Sequence, residues 1–227
     1  MLKSLGAVAF CSAISFFFSD SIFAVMVAPL RRSLGPEQNL IGTGVTEAFF
    51  TEIKVALAAG ALFSTPVIFY QLWRFISPGL LAREKRLVLP FVLSATFFFV
   101  AGAVFCYWVV LPVAFRYFVE QYGSIGVTPA IRIGEYFTFF FRMVLAFGVA
   151  FELPVFTYFL VRIGVWDYRF MLRSFRYALI VIFVVAAVLT PTPDVINQSL
   201  LAVPMVLLYG LSIGVAYLGR KPENFDC

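Results

Sequence analysis

Long apolar runs alternate with short polar segments along nearly the whole chain. A helix needs about 20 apolar residues to cross a bilayer core. On that criterion the pattern predicts six membrane-spanning helices, over residues 2–26, 55–75, 87–119, 133–161, 175–189 and 195–217. The third is long enough to tilt or protrude. The fifth would be only about 22 Å long at 1.5 Å per residue, so either the bilayer thins there or neighbouring helices shield it. Pro66, Pro112, Pro154 and Pro204 fall inside these spans. Each removes a backbone donor and bends its helix, and bent helices build concave walls.

Composition agrees. Of the 227 residues, 62% are hydrophobic and only 13% charged, too little polar material to surface a soluble domain. The net charge of +5 does not indicate a nucleic-acid partner, because the cations sit in short segments between apolar runs. There is no histidine, which argues against haem, His-based metal sites and His-dependent catalytic triads. Cys11, Cys106 and Cys227 have no metal spacing and no evident pairing. No cofactor is expected, and no nucleophile–base pair suggests an enzyme.

The cations also predict sidedness. Arg74, Arg83, Lys85, Arg86, Arg162, Arg169, Arg173, Arg176, Arg220 and Lys221 fall on one side of the predicted spans, and Arg31, Arg32, Lys54, Arg116 and Arg132 on the other. The richer side should be cytoplasmic, with both termini there. Outward loops are then expected at 28–54, 121–129 and 190–194. Lys3 ahead of an apolar run, with small residues at Ala24 and Ala28, leaves a cleaved signal peptide as an alternative for the first span. No linker divides the chain, so residues 1–227 are read as one membrane domain.

A few polar residues stand out. Glu152 lies deep in the fourth span, where an ionisable group is costly and faces a protein interior or a wet cavity. The alternative is a carboxyl hydrogen-bonded to a neighbouring helix with no further role. Arg142 shares that span but lies about 15 Å away along the axis and roughly 80° around it, too far for an ion pair. It should snorkel to the headgroups. Asp194 is placed to N-cap the sixth helix. With Thr190 and Gln198 it forms a polar cluster able to hydrogen-bond a partner's helix. Glu84 lies among Arg83, Lys85 and Arg86 and is by itself an ordinary solvated loop carboxylate. Glu47, Glu52 and Lys54 read as structural, with Lys54 pairing to Glu47 or reaching headgroups.

Seven stretches together carry a resemblance. They are Val27-Ala-Pro-Leu30, Thr46-Glu-Ala-Phe-Phe-Thr-Glu-Ile-Lys-Val55, Pro66-Val-Ile-Phe-Tyr-Gln-Leu-Trp-Arg-Phe-Ile-Ser-Pro-Gly-Leu80, Glu84-Lys-Arg86, Phe147-Gly-Val-Ala-Phe-Glu-Leu-Pro154, Leu189-Thr-Pro-Thr-Pro-Asp194 and Gln198-Ser-Leu-Leu-Ala-Val-Pro204. In this order and spacing the chain resembles the TatC family, the multi-spanning core subunits of twin-arginine protein translocases. The resemblance implies six helices in a curved, glove-like wall in the cytoplasmic (inner) membrane, and a receptor rather than an enzyme. It implies partners, namely twin-arginine signal peptides and TatA-like and TatB-like single-span subunits, and export of folded proteins on the proton-motive force. By position, Glu84 would hold a signal-peptide arginine, with Phe75, Pro78 and Arg83 shaping the same surface. Glu152 would be the polar residue of the membrane concavity. Thr190, Asp194 and Gln198 would meet a partner's helix, and Pro29 would shape the outer loop. The family also carries an amphipathic segment with a His-Leu…Glu-Leu-Arg pattern before the first helix. Here the apolar run follows Met1 almost directly, so that half of the arginine site is expected to be lacking. The competing function class is a proton-coupled small-solute transporter built around Glu152.

Overall fold

The computed structural model describes residues 2–34, 40–76, 88–190 and 195–219. The described chain is helical: α1 (Leu2–Phe17), α2 (Ser19–Ser33), α3 (Glu47–Phe63), α4 (Thr65–Ile76), α5 (Val88–Phe105), α6 (Leu111–Ser124), α7 (Ile133–Arg162), α8 (Tyr168–Leu189) and α9 (Val195–Gly219). Four stretches are straight candidate spans, and two bent pairs bring the number to six. This is the all-α membrane architecture that the hydropathy pattern predicts.

Two spans expected to be continuous are broken. The first turns by 86° at Phe18, between α1 and α2. Its apolar run is interrupted by Ser19-Asp20-Ser21, side chains that compete with the helix for backbone partners. Asp20 then falls in the first turn of α2, where the helix dipole favours an anion. The second span turns by 56° at Ser64. Pro66 offers no N–H to the Leu62 carbonyl, and Thr65 Oγ1 donates to that carbonyl at 2.6 Å instead.

The fifth span is also longer than expected. α8 begins at Tyr168, because Arg169, Arg173 and Arg176 extend a helix as readily as apolar residues do. Its apolar part remains the predicted short one. The third span runs unbroken from Leu89 to Ser124 but widens to a π-turn at Cys106–Val110, directly before Pro112. There the Leu111 N–H donates to the Cys106 carbonyl, five residues back.

Pro29 was expected in a loop, but α2 continues through it to Ser33, and Pro29 is buried inside the helix. Its missing N–H would leave the Val25 carbonyl unpaired in a region without water. Tyr107 Oη donates to that carbonyl at 2.7 Å, and Tyr136 Oη donates to the neighbouring Met26 carbonyl. A proline defect in α2 is thereby turned into a tie to the third and fourth spans. Tyr107→Phe is expected to destabilise the protein by about 0.5–1.5 kcal/mol, the net worth of one intramolecular hydrogen bond. Thermal unfolding in detergent measures this, with Tyr70→Phe as a control, since Tyr70 is exposed and has no hydrogen bond among the described residues.

The elements pack as α1 on α3, α5 on α7, α7 on α9 and α8 on α9. Lipid tails give apolar helices little reason to associate, so close approach through small residues must supply the contact. A Cβ at Gly60 would lie 2.6 Å from the Ser12 Cα across the α1–α3 contact. A Cβ at Gly102 would lie 2.6 Å from the Phe147 carbonyl, and one at Gly148 would lie 2.7 Å from the Phe99 ring. The main buried cluster gathers around α7, with Phe137, Met143 and Phe147 fully enclosed.

Candidate functional site: an intramembrane cavity with one carboxyl group

α7 carries Arg142 and Arg162 at the two ends of its apolar stretch. Twenty residues separate them, about 30 Å, which matches the thickness of a hydrocarbon core. Glu152 lies midway. The Gly148–Phe99 contact draws α7 against α5. One helical turn further on, Glu152 reaches a cavity of about 530 Å³. Its wall is made by Leu62 on α3, by Thr65, Phe69 and Leu72 on α4, and by Phe91 and Phe99 on α5. The bend at Ser64 wraps α3 and α4 around it. Glu152 is the sole ionisable side chain among the described lining residues. Its Oε1 is buried with no hydrogen-bond partner among the described residues. Such an atom costs about 1–3 kcal/mol, and the Phe99 backbone is the hydrogen-bonding neighbour of the carboxyl group as a whole. Two further apolar cavities, of about 400 and 460 Å³, flank this one.

At the end of α4, Trp73 is buried, with its ring 4.0 Å from that of Phe91 and 4.3 Å from that of Phe159. Phe75, two positions on, points to the opposite side and is 79% exposed. Pro78, Arg83 and Glu84 lie outside the described residues.

At the other side, Thr190 Oγ1 donates to the Ala186 carbonyl at 3.0 Å, within its own helix end. Gln198 Nε2 donates to the Phe183 carbonyl at 2.9 Å and ties α9 to α8. Asp194 lies outside the described residues. The predicted polar cluster is therefore partly committed within the chain.

Glu47 is structural, as expected, but through backbone groups rather than Lys54. Its Oε2 accepts from the Thr43 N–H at 2.7 Å, the Thr43 hydroxyl at 3.1 Å and the Gly44 N–H at 3.2 Å. Its Oε1 accepts from the Gly134 N–H, in the first turn of α7, at 3.0 Å. Beside it Ile41 and Arg132 form a parallel bridge. One carboxylate thus clasps segment 41–44 to the start of α7 and is not free for Lys54. The available signal was Gly134, where a Cβ would lie 3.0 Å from the Glu47 carboxylate.

Comparison with known proteins agrees with this geometry. The family described as "Sec-independent protein translocase protein (TatC)" matches residues 1–204. The Sec-independent protein translocase protein TatC of Desulforapulum autotrophicum is 39% identical over 226 residues, covering 99% of this chain and 83% of that protein. The Campylobacter jejuni protein of the same name is 46% identical over 203 residues, covering 89% of this chain and 81% of its own length. A crystal structure of the twin arginine translocase receptor TatC superposes with a TM-score of 0.85 at 36% identity, covering 97% of this chain and 96% of that one. With its six spans, its intramembrane carboxyl group and these relatives, the chain belongs to the TatC family and is a multi-pass core component of a Sec-independent, twin-arginine protein translocase.

Proposed function

We propose that this chain is the signal-peptide receptor of its translocase. The end of α4 and segment 77–87 form the docking face, and Glu84 holds an arginine of the incoming pair. A carboxylate grips a guanidinium through two parallel charge-assisted hydrogen bonds, a geometry that lysine does not reproduce. Exposed Phe75 supplies apolar contact beside it. Pro78 and Arg83 shape the same face. The excess of cations on that side supports a cytoplasmic position for it and for both termini. TatA-like and TatB-like single-span subunits dock near Thr190, Asp194 and Gln198, and folded cargo is exported on the proton-motive force. Glu152 serves as the polar point in the apolar concavity.

The observation that carries this reading is the whole-chain likeness to a solved twin arginine translocase receptor. That likeness leaves the solute-transporter alternative without a supporting observation. The test is photocrosslinking of a twin-arginine signal peptide, and of its Lys-Lys counterpart, to the purified chain in lipid nanodiscs. The arginine peptide is expected to crosslink, and Glu84→Ala to weaken it roughly ten- to a hundred-fold, the equivalent of about 1.5–3 kcal/mol for a charge-assisted hydrogen bond. Equal capture of both peptides would remove Glu84 from the site. No capture of either peptide would end the receptor reading.

A further inference from the structure

Beside the clasp made by Glu47 is a polar cavity of about 590 Å³, lined by Lys54, Arg132, Arg142, Glu47 and Glu135 among others. Both carboxylates are committed, Glu47 to the clasp and Glu135 to Arg132 at 3.7 Å. Among the described residues, Lys54 and Arg142 have neither an ion pair nor a hydrogen bond. Three cations against two carboxylates leave this lining one positive charge in excess.

Directly below lies the apolar groove of about 460 Å³ between α7, α8 and α9, and the two spaces share Arg142 and Leu189. The helix period explains the join. Glu135, Thr138 and Arg142 repeat at three and four positions on one face of α7. The same face continues as Leu145, Val149 and Leu153, which line the groove. On α8, Val181 and Val185 repeat at four positions opposite them and end at Leu189. A charged head therefore sits on a greasy trough.

From this arrangement we infer that the chain holds one anionic phospholipid, with its phosphate between Lys54 and Arg142 and an acyl chain along the Leu145–Val149–Leu153 stripe. The length of the trough selects this occupant. From Arg142 to Leu153 is about 16 Å, close to half of a hydrocarbon core of about 30 Å. An acyl chain of one leaflet fits that length, whereas a partner's spanning helix would need the whole thickness. The charge agrees, because one phosphate neutralises the excess. Basic pockets between membrane helices bind anionic headgroups for this reason.

Native mass spectrometry of the purified chain tests this, with phosphatidylglycerol and phosphatidylcholine offered in separate titrations. The unaltered chain is expected to retain one phosphatidylglycerol in preference to phosphatidylcholine. The double substitution Lys54→Gln with Arg142→Gln should lower that retention roughly ten-fold, and Arg116→Gln, a cation outside the cavity lining and paired with Glu120, should leave it unchanged. Val185→Trp, which fills the trough and spares both cations, should lower retention of either lipid while the protein melts as a folded species. A photoactivatable residue at Val185 should carry lipid mass after irradiation in membranes. Equal retention of the two lipids, no effect of the double substitution, or capture of a protein helix at Val185 in place of lipid would each overturn the assignment.

Discussion

Gly102→Val is expected to lower stability markedly, as a substitution at the α5–α7 contact beside the Glu152 cavity. A Cβ there meets the Phe147 carbonyl at 2.6 Å and the Phe151 ring at 2.9 Å. The ring could rotate, but the carbonyl belongs to α7 and cannot move unless the helix does. Overpacking a core costs about 1–3 kcal/mol. This case belongs at the upper end, because the helix pair it separates is the one that orients Glu152. Between apolar helices in lipid no hydrophobic gain offsets the lost contact. Thermal unfolding in detergent should show a lowered midpoint and poor recovery of folded protein. Gly210→Ala is the control, since no described residue lies within 4 Å of a Cβ there. A helical glycine replaced by alanine gains about 0.5–1 kcal/mol. If Gly102→Val melted with the parent protein, the α5–α7 approach would not be the contact that fixes the cavity.

Much of this architecture was legible in the sequence. Apolar length alone located the straight spans, because few other structures suit an uninterrupted greasy run in lipid. The two bends were less visible. Ser19-Asp20-Ser21 and Ser64-Thr65-Pro66 are short polar interruptions, and hydropathy averaged over a span-length window dilutes them. The start of α8 was misplaced because the expectation followed apolarity, whereas a helix ends where its backbone hydrogen bonds end. Tyr107 meeting Val25, and Gly134 meeting Glu47, join positions 82 and 87 residues apart. Residue periodicity carries no information on such pairings. Glu152 was legible for the opposite reason, since a carboxyl group in the middle of an apolar run stands out wherever the helix packs. The motif stretches around Phe75 and Glu84 acquired meaning only through the ordered resemblance, because a lone carboxylate among cations is ordinary.

Glu152 supports the other large prediction, and its two possible roles have opposite signatures. If the carboxyl group served stability, removing it would weaken the fold. Its Oε1 is buried without a partner among the described residues, in a cavity whose described wall is otherwise almost wholly apolar. Glu152→Leu should therefore leave the melting temperature unchanged or raised, because it removes an uncompensated polar atom from an apolar site. Glu152→Gln should insert and fold normally. Both variants should impair export of a twin-arginine cargo. Glu152→Leu should be the more severe, since glutamine keeps a hydrogen-bonding group at the middle of the bilayer and leucine keeps none. The measurement pairs thermal unfolding of each purified variant with export in cells lacking the native subunit. A gain in stability joined to a loss of export places the residue's purpose in transport. Full export by Glu152→Leu would instead make it a tolerated polar residue, and the cavity would then be no more than a packing gap between α4, α5 and α7.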